Sequence, residues 1–359
     1  MDATVNACIG SDRLFDSPTT MNASVAIESE MKWISGMRPI LSEEDFFTWM
    51  SLIIYVTLFV ALIGIISNLL VIITCARIGF SETINISYLA LGIADLMASA
   101  TRFYGSIFLL FEITTTKVHF DPRTVSSVVA FLPSQGFEKT AAFITAFIAL
   151  ERCLCVQFPL HVKTIVTKRK TIFSNVIIYI FAFGPSNLIH MVYRFKWVYN
   201  ATQNRTVLAI DQSETRLRYI LARALYAYYG TILNFTALIV VWICTVYLVL
   251  GLKRKAVARK ENFKTSFIKD NKQKDLQVIK TVFLLAVTYL VCSIPTAITL
   301  LVPQFVPEFG STRALARISR VSYMISGLMM QVNSCTNFFI FLYMGSRFRK
   351  ALITLFKRH

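Results

Sequence analysis

Charge is scarce in this sequence. Asp, Glu, Lys and Arg together make up 16% of its 359 residues, against about 25% in soluble domains, which argues against a soluble globular chain. Histidine is scarcer still: His119, His161, His190 and His359 are scattered, and Cys153-x-Cys155 is too close for the usual zinc spacing. No disulfide framework is readable, because six of the seven cysteines fall in or beside apolar segments and only Cys8 lies in a plainly soluble one. The opening residues, MDATVNACIGSDRLFD, lack the basic head and apolar middle of a cleavable signal, so the first span is expected to serve as the insertion signal. Acids are outnumbered 20 to 37 by bases. Those bases lie between apolar segments and form no basic domain, which disfavours nucleic acid as a partner.

What the chain has in quantity is hydrocarbon, with 55% hydrophobic residues. A span needs about 20 apolar residues to cross a core of about 30 Å, and seven segments qualify, at 48–76, 83–111, 124–153, 171–193, 219–251, 276–302 and 315–343. The expected fold is therefore all-α, a seven-span helix bundle over 48–343. A polar leader precedes it at 1–47. A tail at 344–359 completes the chain, and in it Phe348, Leu352, Leu355 and Phe356 share one face of a short amphipathic helix suited to the inner leaflet.

Orientation is set by the bases. With the leader outside, 21 of the 37 Lys and Arg fall in cytoplasmic segments, ten of them between Lys253 and Lys280. The Lys-dense third inner loop suits anionic lipid or a cytoplasmic partner, although topogenic charge alone accounts for its composition. The N-glycosylation acceptors Asn22, Asn200 and Asn204 then share the outer side. Those at Asn85 and Asn234 fall at or in the membrane and read as chance.

Six short patterns recur on successive spans: Gly64-Ile-Ile-Ser-Asn68, Leu91-Gly-Ile-Ala-Asp95, Glu151-Arg152-Cys153 with Pro159 after it, Cys292-Ser-Ile-Pro295, Asn333-Ser-Cys-Thr-Asn337-Phe338-x-x-Phe341, and then Phe348. In this order the chain resembles rhodopsin-like G-protein-coupled receptors from about residue 60 to 352. The wording LERCLCVQFPLHVKTIVT is further similar to a lineage-expanded group of molluscan chemosensory or peptide-receptor-like proteins. Several positions depart from the pattern. Ser127 stands near the position of the usual outer disulfide, residues 194–218 hold no Cys to complete it, Ser293 replaces the toggle Trp, and Phe338 and Phe341 replace Pro and Tyr.

The resemblance assigns roles. Asp95, with Asn68, Asn333, Ser334 and Asn337, would form a polar core able to take sodium at Asp95, Asn333 and Asn337; the alternative is a protonated Asp that only packs. Arg152 would pair with Glu151 at rest and swing to a G protein, against the alternative of a snorkelling interfacial pair. Cys292, Pro295 and Phe341 complete the expected switch. Glu138 lies ~21 Å from Arg152 along the helix, and Arg102 and Arg320 could approach the same level. The cluster reads equally as a ligand pocket with a buried Arg–Glu network or as a structural salt bridge. Tyr104, Gln135, Arg223, Tyr226, Tyr323 and Gln331 are further pocket candidates. Ser134 stands where amine receptors carry Asp, and the seventh span has no Schiff-base Lys, so monoamine and retinal are disfavoured.

The reading is a plasma-membrane receptor, not an enzyme, needing no cofactor beyond a structural sodium ion. Its partners are an extracellular peptide or small polar compound, a heterotrimeric G protein and membrane lipid. The competing readings are a transporter or channel, disfavoured by the absence of internal repeats, and a seven-span protein that no longer signals.

Overall fold

The computed structural model describes residues 40–114, 118–158, 162–188, 195–200, 204–210, 216–261, 269–309 and 315–357. Asn22 and Pro159 lie outside these residues, as do the side chains of Asn200, Arg223, Tyr226 and the Lys-dense segment 252–276.

The architecture is an all-α membrane helical bundle. Helix α1 (Glu43–Ile78) begins five residues before the expected span because Ser42 caps it: the Ser42 hydroxyl accepts from Asp45 N at 3.0 Å, and three acids occupy the first turn. Helix α2 is Thr83–Thr114, α6 is Lys269–Phe305, α7 is Ala316–Met344 and α8 is Ser346–Phe356. The other three long helical segments are composite. In α3 (122–157), α4 (168–188) and α5 (216–261), wider π-helical turns occupy Ser127–Phe131, Tyr179–Phe183 and Ala227–Leu233.

Five helices, α1, α2, α6, α7 and Ala227–Gly251 of α5, are long and apolar enough to cross a membrane by length and composition. Their outer faces carry the mark of a hydrocarbon solvent, with Phe59, Trp242, Val291 and Ile298 each more than half exposed. The segments α3 and α4 carry polar side chains into the bundle. Thr171, Asn175 and Tyr179 of α4 turn inward, to Glu151 on α3 and to Ser87 and Ala90 O on α2. Around them, α1 packs on α2 and α7, α3 on α2 and α5, and α6 on α7.

The bundle has a leader end, where α1 begins, and an α8 end. The largest apolar cluster lies toward the α8 end and includes Val71, Leu91, Ile144, Leu285 and Phe341. Helix α8 joins this cluster. Phe348 and Leu352 are buried against α7 and α1, with the Phe348 ring 5.8 Å from Phe341, so this part of the amphipathic face seats on the bundle.

One feature was not expected in an all-α chain. Residues Phe195–Asn200 (β1) and Arg205–Ile210 (β2) pair as an antiparallel hairpin. Its turn uses Asn204 at φ 49°, a left-handed conformation that Asn tolerates better than most residues. Strand β2 is also fastened to the head of α3: Asp121 N donates to Leu208 O and Leu208 N to His119 O, both at 2.9 Å. These bonds tie the hairpin to the third span without a disulfide.

Candidate functional site

Two cavities open at opposite ends of the bundle. The leader-end cavity, about 320 Å³, lies among α3, α5, α6 and α7, and its walls include Phe131, Gln135, Glu138, Lys139, Tyr229, Thr296, Thr299 and Tyr323. Two of the three π-helical turns, in α3 and α5, border it. Such turns shift the side-chain register by one residue and are frequent at functional sites.

Two members of the expected ionic cluster meet at its wall. Arg102 pairs with Glu138, both almost fully buried, and Ser134 Oγ donates to the same carboxylate oxygen at 3.2 Å. Phe131 lies under the guanidinium at 4.9 Å, close enough for a cation–π contact. Lys139 makes a separate link from α3 to α5, its Nζ donating to Asn234 Oδ1 at 2.7 Å. That bond explains an apparent glycosylation signal: Asn234 is 1% exposed and engaged inside the bundle.

Among the other predicted pocket residues, Gln135 and Tyr323 line this cavity. Tyr104 and Arg320 do not; Tyr104 meets Phe108 edge-to-face and Arg320 is exposed. Gln331 belongs elsewhere. It follows the cavity-lining Met330 but is buried on another face of α7, with Nε2 donating to Ser99 Oγ at 2.7 Å.

That bond is part of a polar core. Asn337 Nδ2 donates to Asp95 Oδ2 at 2.7 Å, Ser99 Oγ to the Asp95 carbonyl at 2.7 Å, and Asn68 Nδ2 to Gly64 O at 2.9 Å and Ser334 O at 3.3 Å. Helices α1, α2 and α7 are joined through these groups. The oxygens Asn68 Oδ1, Gln331 Oε1 and Asn333 Oδ1 are buried with no partner among the described residues. Together with the Asp95 carboxylate they are the hard oxygen donors that sodium or water requires.

The α8-end crevice, about 570 Å³, is walled by Tyr88, Arg152, Gln277, Thr281, Phe341 and Phe348, with Glu82 and Arg347 at its rim. Glu82 and Arg347 pair there, both substantially exposed. Phe341 packs on Tyr88 with ring centroids 4.3 Å apart. The expected Glu151–Arg152 ion pair does not form. Consecutive helical side chains diverge by about 100°, and Glu151 turns to α4, where Thr171 Oγ1 donates to it at 2.9 Å. Arg152 faces the crevice, its Nε without a partner among the described residues. Cys292 and Ser293 are buried in α6, about one turn from the cavity-lining Thr296, with Pro295 inside the helix between them.

Sequence reasoning missed Thr296, Thr299, Ser326 and Tyr229 on the cavity wall. A signal existed in the spacing of Thr296 and Thr299, three residues apart on one face of a largely apolar stretch of α6.

Residues 55–359 match the family described as serpentine type 7TM GPCR chemoreceptor Srw. The chain belongs to this family. No curated protein matches it. Membership makes the chain a GPCR-like serpentine receptor of the membrane.

Proposed function

We propose that this Srw chemoreceptor sits in the plasma membrane with its leader outside, binds an extracellular ligand in the leader-end cavity and admits a heterotrimeric G protein to the α8-end crevice. Within the serpentine receptors the motifs favour a rhodopsin-like mechanism, and one stretch favours the molluscan chemosensory or peptide-receptor-like group.

The observation that carries the reading is Arg152. A half-buried guanidinium lines a crevice large enough for one end of a helix. A helix C-terminus presents four unsatisfied carbonyls and partial negative charge, which such a donor complements. The same crevice is walled by Gln277 and Thr281 of α6, whose other end lines the ligand cavity through Thr296 and Thr299. Pro295 lies between them. A tilt of about 10° at Pro295 moves Thr281, ~21 Å away along the helix, by roughly 4 Å. A ligand drives that movement only by binding the open arrangement more tightly than the closed one.

The polar core around Asp95 fits a sodium ion held by Asp95, Asn333 and Asn337, which would supply positive charge to a carboxylate otherwise faced only by dipoles. The rows of exposed apolar side chains meet lipid. Replacing Arg152 with Ala should abolish nucleotide exchange on a co-expressed G protein while leaving surface expression intact. Unaltered exchange in that variant would remove the assigned role.

A further inference from the structure

Among the described residues three charged side chains are buried at the leader-end cavity or its wall, and one of them makes no ion pair. Arg102 and Glu138 neutralise each other. Lys139 is 3% exposed and its Nζ bonds to the neutral Asn234 amide oxygen. Among the described residues no carboxylate lies within ion-pair distance of it. An ammonium at this depth is costly, and an amide acceptor offsets that cost only in part. The ammonium has three donors, and the bond to Asn234 uses one, while the side chain itself lines the cavity.

The Thr296 hydroxyl adds a second unused group. It is buried with no partner among the described residues, and Thr296 lines the same cavity. The rest of the wall sets the apolar Phe131, Leu132, Leu300 and Met330 beside polar groups of Gln135, Tyr229, Thr299 and Tyr323, with Glu138 already paired to Arg102. At about 320 Å³ the space stands at the small end of the roughly 300–1,000 Å³ typical of ligand pockets. A compact molecule suits it better than a peptide, and its excess positive charge repels amines.

Building on the receptor reading, we infer that the ligand of this cavity is a small organic anion, a carboxylate on a compact apolar body, with the carboxylate against Lys139 Nζ and the body among the aromatic and aliphatic walls.

The test uses the full chain purified in detergent, with unfolding monitored by a thiol-reactive dye that reports exposure of the buried Cys75, Cys292 and Cys335. Matched probes are hexanoate and 3-phenylpropanoate, their primary amides, and the corresponding amines. The acids should raise the unfolding temperature in a concentration-dependent way that amides and amines do not match. Lys139→Gln should weaken acid binding about 10- to 100-fold, the worth of a charge-assisted bond, and Lys139→Arg should largely preserve it. Equal stabilisation by acids, amides and amines, stabilisation by no acid, or unchanged acid binding in Lys139→Gln would overturn the inference. If Lys139→Gln does not fold, the contrast among the three probe classes on the unaltered chain decides it. Nucleotide exchange on a G protein is measured separately: acid-selective binding without exchange leaves the ligand class standing and removes the receptor reading.

Discussion

The Arg102 guanidinium occupies the space that a side chain at Gly327 would need, with Nη1 2.5 Å from the position of the missing Cβ. Arg102 cannot retreat cheaply, because it is buried and paired with Glu138 on α3. Glycine at 327 is thus what lets α7 approach α2 closely over an ion pair. Gly327→Ala should destabilise the protein by about 1–3 kcal/mol, the usual range for forcing extra atoms into a packed interior. It should also reduce ligand response without altering Arg152. Thermal unfolding and a G-protein exchange assay together check this, and an alanine variant with wild-type stability would show that α7 has room.

The pair itself makes a second prediction. Removing one partner leaves a buried charge uncompensated, at a cost of about 3–5 kcal/mol, whereas removing both leaves none. Arg102→Met and Glu138→Gln should each lower surface expression strongly, and the double variant should recover part of the loss. Strictly additive losses in a double-mutant cycle would mean that the two side chains act independently.

Much of this arrangement is legible in the sequence. Hydropathy finds the helices because lipid requires about 20 apolar residues per crossing, and isolated charges inside such runs announce themselves, as Arg102, Glu138 and Asp95 do. Residues whose role depends on the neighbouring helix are not legible. Nothing local distinguishes Gln331, which faces Ser99 in the core, from Gln135, which faces the cavity from another helix. Asn234 reads as a chance glycosylation signal until Lys139 is seen donating to it. The π-helical turns in α3, α4 and α5 also escape sequence reading, since they answer tertiary demands such as the Tyr228 hydroxyl reaching Phe181 O at 2.7 Å. The hairpin is hidden because its pairing with 119–121 is long-range.

That pairing bears on redox behaviour. The hairpin is fixed to the head of α3 by two backbone hydrogen bonds, each worth about 0.5–1.5 kcal/mol. Among the described residues no cysteine forms a disulfide, and none lies in the hairpin. Ligand response on intact cells should therefore survive a membrane-impermeant reductant unchanged. A response that falls on reduction would point to a bond from Cys8 to a cysteine of another chain, since the other six cysteines form no disulfide.

Glycosylation tests the orientation on which the functional reading rests. Asn204 stands at the exposed tip of the hairpin, where Tyr199 donates to its side-chain oxygen, and its backbone is already in a turn that an oligosaccharide-transferring enzyme can approach. Asn85 and Asn234 are buried, the first donating to Gly79 O at 3.1 Å and the second accepting from Lys139. With the leader outside, Asn204 faces the lumen during synthesis and Asn85 faces the cytosol. Asn204→Gln should therefore increase gel mobility, endoglycosidase treatment should narrow that difference, and Asn85→Gln should leave mobility unchanged. The opposite result, glycan lost with Asn85→Gln and not with Asn204→Gln, would turn the bundle over. Arg152 would then face outward and the Lys139 cavity the cytosol, so this single measurement bears on both ends of the molecule at once.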